Sequence, residues 1–119
     1  MILADTSVWA DHLRKGDKEL ADLLNGSRIV IHPFIVGELA LGYLKPRDQI
    51  LRALADLPQT ILATEAEVLR LIERHVLFGT GIGYIDAHLL TAAMLTPGTL
   101  IRTRDKQLLG AAHKLGLAA

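Results

Sequence analysis

The sequence predicts an α/β fold, a three-layer α/β/α sandwich around a central, mainly parallel sheet. Short apolar runs at Ile2–Ala4, Arg28–His32, Thr60–Ala63 and Thr99–Thr103 alternate with longer segments whose apolar residues recur at helical spacing. No two-residue hairpin signal joins any of these runs, so right-handed crossovers through helices should connect parallel strands. Half of the residues are hydrophobic but only 4% are aromatic, which requires an aliphatic core of Leu, Ile, Val and Ala. Across 119 residues there is no linker, repeat or low-complexity stretch, so residues 1–119 read as a single domain.

The elements follow in order. Ile2–Ala4 suits a buried strand, and Asp5 places a carboxylate where it ends. Thr6 and Ser7 can cap a helix that begins near Val8 and runs to Arg14, ahead of Gly16. Asp17 caps a second helix, Lys18–Asn25, with Leu20, Leu23 and Leu24 on one face and Gly26 suited to the position after its end. Arg28–His32 is the second strand. Pro33 fits the first turn of a third helix reaching about Leu44, and Pro46 ends it. An amphipathic helix carrying Ile50, Leu51, Leu54 and Leu57 comes next; its apolar face could bury against a second subunit or a partner helix.

Thr60–Ala63 reads as the third strand. Thr64 and Glu67 form a capping-box pattern opening a helix to about Leu77. Gly79, Gly81 and Gly83 break the chain before a helix from Tyr84 to about Leu95. These glycines follow a helix and lack the Gly-Lys-Ser/Thr ending of a phosphate loop, so they read as helix breakers. Thr99–Thr103 is the fourth strand, Lys106–Leu115 the last helix, and Leu117–Ala119 could add an edge strand.

Composition narrows the function. Thirteen basic residues balance thirteen acidic ones, which disfavours nucleic-acid binding by bulk charge but leaves room for a local basic patch. No apolar run is long enough for a membrane span, and Met1 leads straight into the first strand, so no signal peptide is expected. The absence of cysteine fits a cytoplasmic protein and removes thiolate metal sites.

Acids on apolar faces carry the functional signal. Glu38 lies between Phe34 and Ile35 one turn back and Leu41 one turn on, on or beside a buried stripe. Asp86 precedes Leu89, Leu90, Ala93 and Met94 in the same way, and Asp105 follows the fourth strand as Asp5 follows the first. Each has a plain alternative. Asp5 could merely cap its helix, Asp86 and Asp105 could be favourable charges at helix N-termini, and Glu38 could pair with Lys45. Together they fit convergence at the carboxyl ends of the strands, where open α/β sheets bind ligands. Carboxylates crowded in one pocket raise one another's pKa, and a divalent cation resolves the conflict. All-oxygen donors, with no histidine pair at zinc spacing, favour Mg²⁺ or Mn²⁺.

Asp5 within ILADTSVW, Glu38 within VGELALG, Asp86 within GIGYIDAHLL and Asp105 within TRDKQLL resemble the four acidic motifs of PIN-domain ribonucleases. More closely they resemble the VapC toxins of bacterial toxin–antitoxin pairs, in the right order from Met1 to about Leu117. The resemblance implies a PIN-like α/β/α fold, Mg²⁺-dependent hydrolysis of an RNA phosphodiester, a homodimer, and a cognate VapB-like antitoxin that covers the site. It makes Asp5, Glu38, Asp86 and Asp105 the catalytic, metal-binding acids. Thr103 matches a hydroxyl residue many relatives carry two positions before the last acid, whereas Arg102 departs from the apolar or aromatic residue expected there.

Thr6 and Ser7 would then shape the turn beside Asp5, Ser7 as a hydrogen-bonding neighbour, since no histidine is placed to activate it as a nucleophile. Lys45, Arg47, Arg102, Arg104 and Lys106 lie close to the acidic motifs in sequence and are the candidates for RNA phosphate contacts. Trp9 reads as core. Tyr43 and Tyr84 could stack on bases but suit packing or a dimer contact better. The five histidines show no metal spacing. A haloacid-dehalogenase-like phosphatase would need an acid at residue 7, which is Ser7, and a receiver domain would need one after the third strand, where Ala63 and Thr64 stand. The remaining alternative is a PIN-like module that binds RNA or protein without catalysis.

Overall fold

The computed structural model describes residues 1–119. The chain runs β1 (Ile2–Ala4), α1 (Thr6–Lys15), α2 (Lys18–Asn25), β2 (Ile29–Val30), α3 (Pro33–Ala40) and α4 (Arg47–Ala55). It continues with α5 (Glu65–Arg74), α6 (Tyr84–Leu95), β3 (Leu100–Arg102) and α7 (Lys106–Lys114). The sheet is parallel throughout, in the order β2-β1-β3, with Leu3 opposite both Val30 and Ile101. Parallel bridges extend it at each side, Ile31 with Gln59 and Ile101 with Ala118. The tail thus joins the sheet edge as its sequence suggested.

Every residue of β1 is buried, as expected of a central parallel strand covered by helices on both faces. Leu3, Leu20, Ile31, Ile35, Leu90 and Leu108 are fully buried around it, and each such aliphatic side chain contributes about 1.5–3 kcal/mol of burial free energy. Trp9 joins them. Leu54 of α4 is in the same core, with Ile50 and Leu57 packed against it. Leu54 thus anchors α4 to its own core, while Ile50, Leu51 and Leu57 stay partly exposed.

The expected third strand over Thr60–Ala63 does not form. Only Gln59 pairs with Ile31; beyond Thr60 the Ile61 N–H turns to Thr96 Oγ1 at 2.9 Å, and Ile61 and Leu62 are more than half exposed. Losing the backbone partner at the sheet edge reduces the strand to one bridge. Helix α3 stops at Ala40, four residues short of Leu44. Its last turn tightens, with the Leu41 and Gly42 N–H groups donating to the Glu38 and Leu39 carbonyls at 3.3 and 3.1 Å. The Arg47 guanidinium takes the Ala40 carbonyl at 2.7 Å and the Gly42 carbonyl at 3.3 Å. After α2, Gly26 keeps an ordinary negative φ, and Ser27 takes the left-handed turn at φ 54°. The capping box is formed: Thr64 N–H donates to Glu67 Oε1 at 2.8 Å, and Glu67 N–H donates to Thr64 Oγ1 at 3.2 Å. Thr64 holds Glu67 below the usual carboxylate range.

Candidate active site

The chain leaves β1 for β2 on one side and returns to β3 on the other, so the carboxyl ends of β1 and β3 flank the point where strand order reverses. Asp5 sits there. It is the N-cap of α1, with Oδ1 accepting from the Ser7 N–H at 3.1 Å and the Val8 N–H at 3.4 Å. The cap is Asp5 itself; Thr6 and Ser7 already belong to the helix. The same Oδ1 accepts from Ser7 Oγ at 2.5 Å, and Oδ2 accepts from Thr103 Oγ1 at 2.5 Å. The two readings of Asp5 therefore coexist, because capping uses one oxygen while the other faces the end of β3.

The other acids arrive from three separate helices. Asp105 caps α7, its Oδ1 accepting from the Gln107 and Leu108 N–H groups at 2.9 Å each. Glu38 projects from the exposed side of α3 and has no hydrogen-bond or ion-pair partner in the protein. Asp86 stands in the first turn of α6, after the Gly79–Gly83 loop. Gly79 and Gly81 adopt φ of 74° and 86°, which suits glycine, and Gly83 is the N-cap of α6.

Asp5, Glu38, Asp86 and Asp105 all line one open cavity of about 480 Å³, together with Thr6, Ser7, Gly83, Tyr84, Ile85 and Leu89. Asp5 is buried, Asp86 half-buried, and Glu38 and Asp105 exposed. Burial pushes the Asp86 carboxyl up from 3.8 to about 6, with the charges of Asp5, Asp105 and Glu38 pushing the same way and the Gly83 N–H opposing them. The four acids therefore form one electrostatic unit.

No three of them stand close enough together to ligate one ion directly. An ion here would therefore have to keep waters or substrate oxygens among its ligands, as Mg²⁺ does. The donor set fits as well: all oxygen, mutually repelling and partly desolvated, with no histidine in the lining. Mn²⁺ suits the same donors.

The expected cations divide into two groups. Lys45 lies beside Glu38 in an adjoining depression of about 280 Å³, which shares Thr6 and Glu38 with the acidic cavity. Arg14 and the wholly exposed Tyr43 line that depression too; Arg14 carried no sequence signal toward it. Lys106 is exposed and has no carboxylate partner. Arg47 instead closes the end of α3, Arg102 pairs with Glu19, and Arg104 pairs with Asp11 and Asp17. Tyr84 does line the cavity, edge-on to His88 with ring centroids 4.7 Å apart. His32 is structural, its Nδ1 accepting from the Phe34 N–H at 2.9 Å as the N-cap of α3.

The family model for the PIN domain matches residues 2–114. The chain belongs to the PIN domain family. Two curated relatives, both named Ribonuclease VapC32 and both from Mycobacterium tuberculosis (strains CDC 1551 / Oshkosh and ATCC 25618 / H37Rv), are each 47% identical to it over 118 residues. The alignments cover 99% of this PIN domain chain and 95% of each relative. No helix of this PIN domain is long and apolar enough to cross a membrane.

Proposed function

We propose that this PIN domain is a Mg²⁺-dependent ribonuclease, with Asp5, Glu38, Asp86 and Asp105 as the acids that would hold the ion, directly or through its waters. One observation carries the reading: four carboxylates from four elements share one cavity, where burial first and the charges of Asp5, Asp105 and Glu38 second raise Asp86 to about 6. A cation relieves that repulsion. The full-length similarity to relatives named Ribonuclease VapC32 supports RNA as the substrate and the role of toxin in a toxin–antitoxin pair. By the same resemblance its partners are RNA, a VapB-like antitoxin and a second copy of the chain, with the cytoplasm as its location and residues 1–119 as a single domain.

The four carboxylates would hold Mg²⁺ (or Mn²⁺), which would supply Lewis-acid charge for a phosphodiester and a more acidic water. The protein supplies the placement. Ser7 and Thr103 each donate to a different oxygen of Asp5, fixing the carboxylate plane at the end of the central strand. Thr103 Oγ1 also accepts from the Asp105 N–H at 3.0 Å, tying the last acid to the first. Glu38, without a protein partner, is free to turn into the cavity or toward Lys45. Lys45 and Lys106, which have no carboxylate partner, are the cations that meet the phosphates flanking the scissile bond, whereas Arg14 is paired with Asp11 at 2.9 Å.

The test is incubation of the purified protein with RNA in Mg²⁺ or EDTA, beside Asp5→Asn. Cleavage that needs Mg²⁺ and disappears in Asp5→Asn is the expected result. Mg²⁺-dependent cleavage surviving in Asp5→Asn would refute the assignment of the acids. Failure of the wild type to cleave any RNA would favour a binding module.

A further inference from the structure

Proximity in sequence to Asp105 marks Arg104 as a phosphate contact, but its surroundings contradict that use. The two terminal nitrogens of its guanidinium are divided between Asp11 on α1 and Asp17, the N-cap of α2. Two residues earlier, Arg102 pairs with Glu19 on α2. Asp11 also pairs with Arg14 at 2.9 Å, so the guanidiniums of Arg14, Arg102 and Arg104 are balanced by Asp11, Asp17 and Glu19, and a phosphate approaching Arg104 would meet Asp11 and Asp17 as well. Asp17 is also largely enclosed, its side chain 10% exposed against 42% for Arg104.

The backbone of the same residue reaches the acidic cavity. The Arg104 N–H donates to Ser7 Oγ at 3.0 Å, and Ser7 Oγ donates onward to Asp5 Oδ1 at 2.5 Å. On either side, Thr103 reaches Asp5 Oδ2, and Asp105 opens α7. Between the end of β3 at Arg102 and the start of α7 at Lys106 there is no regular secondary structure to fix these residues. Their position relative to Asp5 depends on this handful of bonds.

We propose that Arg104 is a positioning residue of the acidic site and not an RNA contact. By bridging Asp11 and Asp17 it fastens the segment after β3 to α1 and α2, so that Thr103 and Asp105 stand in register with Asp5. The proposal rests on the reading of the four acids as a divalent-ion site.

The bridge can be cut from either side, and the two readings then differ in sign. Arg104→Gln and Asp17→Asn, chosen because Asp11 also holds Arg14, are compared with the wild type by three measurements on the full chain: Mn²⁺ binding by calorimetry, amide exchange over residues 103–108 without metal, and steady-state RNA cleavage. A positioning role makes the two variants alike. Each weakens Mn²⁺ binding by about tenfold, speeds exchange at the Arg104 and Asp105 amides, and lowers kcat with KM for RNA unchanged. Arg104→Lys, which can keep one ion pair, recovers part of the loss.

A phosphate contact makes them opposite. Arg104→Gln would raise KM and leave Mn²⁺ binding alone, while Asp17→Asn, which frees one arm of the Arg104 guanidinium and leaves the Arg14–Asp11 pair intact, would tighten RNA binding. That outcome overturns the proposal. Should Asp17→Asn fail to fold, Arg104→Gln against Arg104→Lys is read in the same way by Mn²⁺ binding and exchange. If the wild type binds no Mn²⁺, the divalent-ion reading fails by itself and the exchange data decide the role of Arg104. Unchanged exchange in both variants overturns it.

Discussion

Thr103 Oγ1 donates a hydrogen bond of 2.5 Å to Asp5 Oδ2, joining residues 98 positions apart in sequence at the ends of adjacent parallel strands. The same hydroxyl accepts from the Asp105 N–H. One side chain therefore sets the spacing between the first and the last acid of the cavity.

Thr103→Val keeps the shape and removes both bonds. A hydrogen bond to a charged acceptor is worth about 1.5–3 kcal/mol, so the variant should lose stability of that order in denaturant unfolding. Its RNA cleavage should fall about tenfold or more at fixed Mg²⁺, as expected when a partner of a ligating carboxylate is removed. Thr103→Ser should restore both. Equal activity in the Val variant would show that the hydroxyl does not orient Asp5.

Asp86 gives the protein a pH signature. Its folded carboxyl is raised from 3.8 to about 6, so between those values the folded state keeps a proton that the unfolded chain has released. Stability contributed by this group is therefore lost as pH rises through that window, and the loss is complete above about pH 6. In metal-free buffer, Asp86→Asn should gain stability over the wild type from pH 4 to 6 and hold the gain at pH 7. Mg²⁺ should narrow the difference by stabilising only the wild type. Parallel stability curves for the two proteins across pH 4–7 would contradict the burial of Asp86 beside the other carboxylates.

Two glycines should answer the same substitution with opposite signs. Gly81 has φ 86°, and a Cβ there would lie 2.6 Å from Gln107 Nε2, so Gly81→Ala should destabilise by about 1–2 kcal/mol. Gly37 lies inside α3 with nothing within 4 Å of a Cβ, so Gly37→Ala should stabilise by about 0.5–1 kcal/mol. Urea midpoints measure both. A neutral Gly81→Ala would mean that the loop before Asp86 is not held against α7.

Arg47 separates a structural cation from an RNA contact. Its guanidinium satisfies carbonyls at the end of α3, so Arg47→Gln should cost about 0.5–1 kcal/mol of stability. Binding of RNA should keep the salt dependence of the wild type, whereas Lys45→Gln should flatten it by about one phosphate contact. A flattened slope in Arg47→Gln would return it to the RNA surface.

The acids were legible in the sequence because each interrupts the pattern around it. Asp5 ends an apolar strand, Glu38 borders an apolar helix face, and Asp86 opens a nearly continuous apolar helix. Parallel βα alternation then places all four at one end of the sheet. Pairing between side chains on distant elements left no such trace. Arg104 meets Asp11 and Asp17 across 93 and 87 residues, and no periodicity encodes that meeting. Nearness in sequence to Asp105 pointed instead to RNA. The strand expected over Thr60–Ala63 had suitable composition, but the Thr96 hydroxyl drew the Ile61 N–H from the sheet edge. A local sequence pattern could not register that competitor.

The central claim is that Asp5 and Asp86 belong to one divalent-ion site, and direct binding tests it. Mn²⁺ titrated calorimetrically into the wild type, Asp5→Asn and Asp86→Asn, without RNA, reports the site independently of catalysis. The wild type should bind, and each Asn variant should lose that binding. Wild-type affinity retained in both variants would show that these carboxylates do not hold the ion.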